Sequence, residues 1–237
     1  MLFKPRLALL GVLALFITSG IVTSVASANG PAWKVNGSRL GAQVKQKTKI
    51  IAGETTLKAK VIGTPTSIKC ETSVVANSFI EGNGQGAGLN GASGITYETC
   101  KVTEPLKCLV AQPIKTVPVK SQLVLFGGGQ GKIGDLFEPT QGTTFVTIVL
   151  ENEGTKACIV AGSFPVKGTV VAEVKPENSE VLTGELAFPS VAISQIKKEG
   201  GAATQISPLE IGTGNPATFI GKYEVGLESG MKFGAFR

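Results

Sequence analysis

Hydrophobic and polar positions alternate every second residue through much of the chain. In TLKAKVIG (56–63), Leu57, Ala59 and Val61 are set against Lys58 and Lys60. In GKYEVGLE (221–228), Tyr223, Val225 and Leu227 are set against Lys222, Glu224 and Glu228. Successive side chains of a strand point to opposite faces, so a period of two with one wet face predicts half-buried antiparallel strands. QLVLF (122–126), FVTIVL (145–150) and GTVVAEV (168–174) are apolar at both phases. Such runs predict central strands covered on both sides.

Turn-forming residues interrupt these runs at short intervals, at Gly63-Thr64-Pro65, Glu104-Pro105, 139–142, Glu153-Gly154, 176–178 and 212–216. No window of twelve residues carries a helical stripe. The best helical candidate, 191–198, is brief and is followed by Gly200-Gly201. About eleven or twelve antiparallel strands with frequent turns predict an all-β fold, a β-sandwich or jelly-roll-like barrel. There is neither an internal repeat of fixed period nor a Pro/Ser-rich linker, which predicts a single domain over residues 29–237.

The first residues follow another logic. Lys4 and Arg6 precede an uncharged apolar run at 7–17, and small and polar residues lead to Ala26-Ser27-Ala28. That three-part layout predicts a secretory signal peptide over 1–28, cleaved after Ala28. The competing expectation is an uncleaved membrane anchor. Thr18, Ser19, Gly20, Thr23 and Ser24 dilute the stretch below the roughly 20 strongly apolar residues that a spanning helix needs. Export predicts a secreted or envelope-exterior location, with no membrane association after cleavage. The remaining 209 residues are enough to bury roughly 70% of the surface of the unfolded chain. Losing Lys4 and Arg6 lowers the net charge from +6 to +4, and no basic run is longer than Lys197-Lys198. Nucleic-acid binding requires a concentrated basic patch and is not expected.

Four cysteines, Cys70, Cys100, Cys108 and Cys158, in an exported chain predict two disulfides, for which three pairings exist. The seven residues between Cys100 and Cys108, Pro105 among them, suit a hairpin that would bring those two sulfurs together. Cys70 with Cys158 then follows by elimination. A zinc site is not expected, because no two cysteines lie two to four residues apart and the chain has no histidine.

Two glycine clusters imitate phosphate-binding loops. GAGLNG (86–91), inside GNGQGAGLNGASG (82–94), fits G-x-G-x-x-G, yet that fingerprint must leave a strand and enter a helix. Here Ile95, Tyr97 and Thr99 alternate as a strand, so the glycines read as turn chemistry. In FGGGQGKIG (126–134), Phe126 occupies the first glycine position of a P-loop and Ile133 its hydroxyl position. No cofactor is expected at either.

Without histidine the Ser-His-Asp arrangement cannot be built, and oxidised cysteines are not nucleophiles. Carboxylate-pair hydrolysis needs only two positioned acids. Asp135 is the sole aspartate, and pairs such as Glu151 with Glu153 or Glu177 with Glu180 read more simply as solvated surface. PENSE (176–180) offers too few oxygens for a calcium loop and reads as a turn. Trp33 is the candidate ligand contact, since an exposed ring can stack on a sugar; the alternative is a plug that packs the N-terminal segment onto the sheet.

PAWKVNG (31–37), Cys70, the Cys100 and Cys108 positions, PIKTVPV (113–119), LFEPTQGTTFVTI (136–148), Cys158 and VKGTVVAEVKPEN (166–178) together span most of the mature chain. In these stretches it resembles a family of secreted, β-rich, four-cysteine proteins of unknown function from soil actinobacteria. The glycine stretch at 82–94 is longer than that pattern. The resemblance implies a structural or interaction role and brings no catalytic residue. The expectation is an exported, disulfide-stapled β protein with a structural or surface-interaction role, no catalysis and a cell-surface or envelope partner. A polysaccharide- or ligand-binding module is the first alternative. An outer-membrane β-barrel, suggested by the alternation and the ending KFGAF (232–236), is the second.

Overall fold

The computed structural model describes residues 30–82, 94–128, 131–198 and 201–237. The segment read as a signal peptide and the hexapeptide GAGLNG lie outside these residues. Within them the protein is all-β, and every strand ladder is antiparallel.

The chain begins with β1 (Ala32–Val35) and β2 (Ser38–Arg39), then the long β3 (Val44–Val61) and β4 (Thr64–Val75). β5 (Phe79–Gly82) and β6 (Ile95–Glu104) flank the glycine-rich stretch, and β7 (Cys108–Val110) and β8 (Ile114–Lys115) are brief. β9 (Val119–Phe126), β10 (Lys132–Pro139), β11 (Thr144–Asn152), β12 (Gly162–Lys167), β13 (Val170–Lys175) and β14 (Thr183–Phe188) follow. β15 (Gln195–Lys197), β16 (Ala203–Gln205) and β17 (Glu210–Ile211) lead into the long β18 (Asn215–Leu227), and β19 (Phe233–Phe236) closes the set. Nineteen strands among the described residues exceed the expected eleven or twelve, because ladders of two to four residues are too short to show a period. Ten strands reach six residues, and the runs read from the sequence fall in six of them, β3, β6, β9, β11, β13 and β18.

The main sheet runs β16-β15-β9-β10-β13-β14-β18 and continues through β3, β4, β6 and β8. A second arm leaves the start of β18 through β17, β12 and β11 to β7, and β19-β1-β2 forms a separate small sheet. The β18–β3 ladder slips between Gly221 and Tyr223. A bulge of this kind bends and twists a strand, which helps two long strands serve both arms. The arms wrap one sandwich-like core that contains Ile68, Ile114, Phe137, Ile148, Phe188 and Tyr223. Phe188 sits at its centre, 5.7 Å from Phe137, 4.9 Å from Phe219 and 5.3 Å from Tyr223 between ring centroids. A smaller cluster of Val124, Phe126, Leu136, Val171 and Ile196 covers the other face of β9, β10 and β13. Two-sided cover explains why QLVLF and GTVVAEV lack alternation. Residues 191–198, the helical candidate, instead provide β15, whose Ile196 is buried against β9.

The disulfides are Cys70–Cys100 and Cys108–Cys158. The expected Cys100–Cys108 and Cys70–Cys158 pairing is therefore wrong, and the topology gives the reason. β6 and β7 are consecutive but do not pair: β6 pairs with β4 and β8, whereas β7 pairs with β11. Cys100 thus stands directly opposite Cys70 in the β4–β6 register. Cys108 stands opposite Asn152, whose side-chain oxygen accepts a hydrogen bond from the Cys158 N–H at 2.8 Å.

Candidate functional site

The two arms of the sheet do not close completely on each other. Between them lies a cavity of about 90 Å³ whose wall includes Ile114, Phe145, Ile148, Phe188, Tyr97 and Tyr223. Most of this wall is aliphatic or aromatic. Unfilled core volume costs about 24 cal/mol per Å³, so the cavity forgoes about 2 kcal/mol of packing. That is a large fraction of the 5–15 kcal/mol by which domains are usually stable.

A chain of hydroxyls accompanies the apolar wall. Ser73 Oγ donates to Tyr223 Oη at 3.4 Å, and Tyr223 Oη donates to Tyr97 Oη at 3.2 Å. The elements supply these groups by period. Tyr223 follows the inward phase of β18, while Ser73 and Tyr97 are direct partners in the β4–β6 ladder. Burial pushes the Tyr97 phenol well above its ordinary range, and the neighbouring Tyr223 adds to this. Burial also raises Tyr223, with the bonds to Ser73 and Tyr97 pulling the other way. Both phenols stay neutral near pH 7 and keep their protons for donation.

Asp135 and Trp33 form a second buried polar place. Asp135 on β10 is 2% exposed, and its Oδ2 accepts from Ser121 Oγ at 3.1 Å. Burial lifts its carboxyl to about 7, partly countered by the Ser121 bond. Among the described residues Asp135 Oδ1 and Trp33 Nε1 have no hydrogen-bond partner, and both residues line one void of about 20 Å³. A carboxyl poised near neutrality is a common mark of an acid–base site. This void is too small for a substrate. Trp33 is 4% exposed, with its ring 5.9 Å from that of Phe233. It fills the plug role, and its face is not offered to a sugar.

The acidic turn at 176–180 uses its oxygens within the protein. Glu177 Oε1 accepts from the Ile133 N–H at 2.8 Å, and Glu177 Oε2 pairs with Arg237 at 2.7 Å. Asn178 Oδ1 accepts from the Arg237 N–H at 3.0 Å, and the Glu180 carboxylate accepts from the Gly37 N–H at 2.8 and 2.9 Å. The turn is a clasp on β1, β10 and β19. Glu153, on the exposed surface, pairs with Lys156 at 3.0 Å. Lys132 opens strand β10 instead of a helix, and Ile133 is fully buried.

The Cys108–Cys158 bridge carries an apolar fringe. Leu106, Leu109 and Ile159 lie within two residues of it and are 79%, 47% and 71% exposed. Ile62, 69% exposed, tops the β3–β4 turn. Because Glu104 pairs with Ser67, β6 runs toward that turn, so Leu106 emerges at the same end of the sheet.

Sequence reasoning missed the tyrosine chain, since Ser73 and Tyr223 are 150 residues apart. It also passed over Asp135, although a lone carboxylate inside KIGDLF was a legible anomaly. Compared with family models, curated proteins and solved structures, the chain matches none of them.

Proposed function

We propose that the chain is an exported, non-catalytic protein that works by contact, presenting the apolar end around the Cys108–Cys158 bridge to a partner at the cell surface or envelope. One observation carries this reading: Leu106 and Ile159 are more than two-thirds exposed while anchored beside a covalent staple. Isolated surface leucines need no explanation, but several apolar side chains on one end mark a contact surface. The bridge holds them in place before binding, which reduces the ordering cost of association. Two disulfides suit an oxidising compartment, in keeping with export. The conspicuous polar groups Glu177 and Glu180 are engaged in holding the fold together.

A test compares binding of the purified chain, and of a Leu106→Glu/Ile159→Glu double variant, to intact cells and isolated envelope of the producing organism. The expected result is saturable binding that the double variant loses while its melting temperature is kept. Equal binding by both proteins, or turnover of an ester or glycan panel by the wild type, would sink the reading.

A ligand-binding module is the second reading, and the cavity favours it where Trp33 does not. The outer-membrane barrel has less support. Lys58, Lys60, Lys222 and Glu224 occupy the outward phase of β3 and β18, where a lipid-facing band would be apolar.

A further inference from the structure

We propose that the cavity between the two arms is a binding site for a compact apolar molecule of three or four carbons bearing one hydrogen-bond acceptor, a ketone or alcohol, which Tyr97 Oη engages. This goes beyond the surface-contact reading and does not depend on it.

Size sets the first limit. A void of about 90 Å³ equals about three waters at their liquid volume. It is smaller than the roughly 150 Å³ void that accepts benzene in an engineered apolar core. Long acyl chains and sugars are too large. Wall chemistry sets the second limit. Apart from the hydroxyls of Thr55, Thr116, Tyr97 and Tyr223 the wall is apolar, with Ile95, Ile148 and Phe188 among its largest parts, so a water cluster, which needs two to four partners per molecule, finds few of them.

The hydroxyl chain sets the third. Ser73 donates to Tyr223 and Tyr223 donates to Tyr97, which leaves the Tyr97 proton as the terminal donor. A neutral phenol at the end of such a chain supplies one donor to an incoming oxygen. A ligand with one acceptor satisfies it, and a charged ligand would be buried without a counter-charge.

The experiment titrates the full chain with cyclobutanone and with cyclobutane, following amide resonances by NMR, and repeats both with dissolved xenon as competitor. The expected result is saturable shifts at Ile95, Tyr97, Ile148 and Tyr223 with both molecules, relieved by xenon. Tyr97→Phe weakens the ketone about three- to tenfold, the range of one neutral hydrogen bond, and leaves the hydrocarbon unchanged. Ile148→Phe, which fills the space, abolishes both. The xenon competition in wild type carries the same information should that variant fail to fold. Absence of saturable shifts with either molecule overturns the proposal, as do shifts that xenon does not relieve. An equal effect of Tyr97→Phe on both ligands would make the tyrosine merely structural and overturns the assigned ligand class.

Discussion

Asp135 and Ser121 share a 3.1 Å hydrogen bond in the buried layer between β10 and β9, and this is the one bond the carboxyl accepts among the described residues. Burial holds the Asp135 carboxyl at about 7 instead of 3.8. Between those two values the folded chain keeps the proton and the unfolded chain releases it. Rising pH therefore favours unfolding across this window, and the loss levels off above about pH 7. The difference corresponds to about 4 kcal/mol as an upper bound. Asp135→Asn removes the titration and keeps an acceptor for Ser121. Urea midpoints of wild type and variant should be closest near pH 4 and diverge in the variant's favour up to about pH 7. Parallel curves would show that Asp135 is already ionised in the native protein.

The bridges close loops of 30 and 50 residues. Chain entropy credits each with about 4 kcal/mol. Non-reducing peptide maps should contain Cys70–Cys100 and Cys108–Cys158 peptides and no Cys100–Cys108 peptide. Replacing either pair with serine should lower stability by about 3–4 kcal/mol. Loss of Cys108–Cys158 should also reduce envelope binding, because it frees Leu109 and Ile159.

Gly94 has φ +73°, and a Cβ there would meet the Thr116 carbonyl oxygen. The same junction is tied by Ile95 N–H to Thr116 Oγ1 at 2.8 Å and by Thr116 N–H to Ile95 O at 2.9 Å. Gly94→Ala should cost about 3 kcal/mol or more, combining backbone strain with a backbone clash. Gly230→Ala, at φ +71° with open space around it, should cost only about 1 kcal/mol. Equal melting temperatures for the two variants would refute the clash.

Glu177 separates charge from hydrogen bonding. Glu177→Gln keeps an acceptor for the Ile133 N–H and loses only the partly exposed Arg237 pair, a change of less than about 1 kcal/mol. Glu177→Ala leaves that N–H without its side-chain acceptor and should cost about 2 kcal/mol. Thermal denaturation of the two variants distinguishes these cases. A larger loss for glutamine than for alanine would contradict the assignment.

Period two was legible wherever a strand had one wet face, so β3 and β18 could be read directly from Lys58, Lys60, Lys222 and Glu224. The all-β class and the presence of two bridges followed from such local signals. Connectivity did not. The spacing of Cys100 and Cys108 suggests a hairpin, and only the departure of β7 to β11 reveals that they serve different ladders. The clasp at 176–180 was legible as a turn but not as an anchor, because its partners Gly37 and Arg237 lie far along the chain. The cavity left no mark in the sequence, since a gap between two arms depends on the volumes of many residues at once.

The pairing of β1 with β19 sets Ala32 beside Phe236 and Val35 beside Phe233. Tension drawn on the chain before Ala32 and after Phe236 therefore loads the ladder at one end, and its rungs part singly, as in a zipper. Such a pull meets the little sheet first, together with the clasp at 176–180 that grips Arg237.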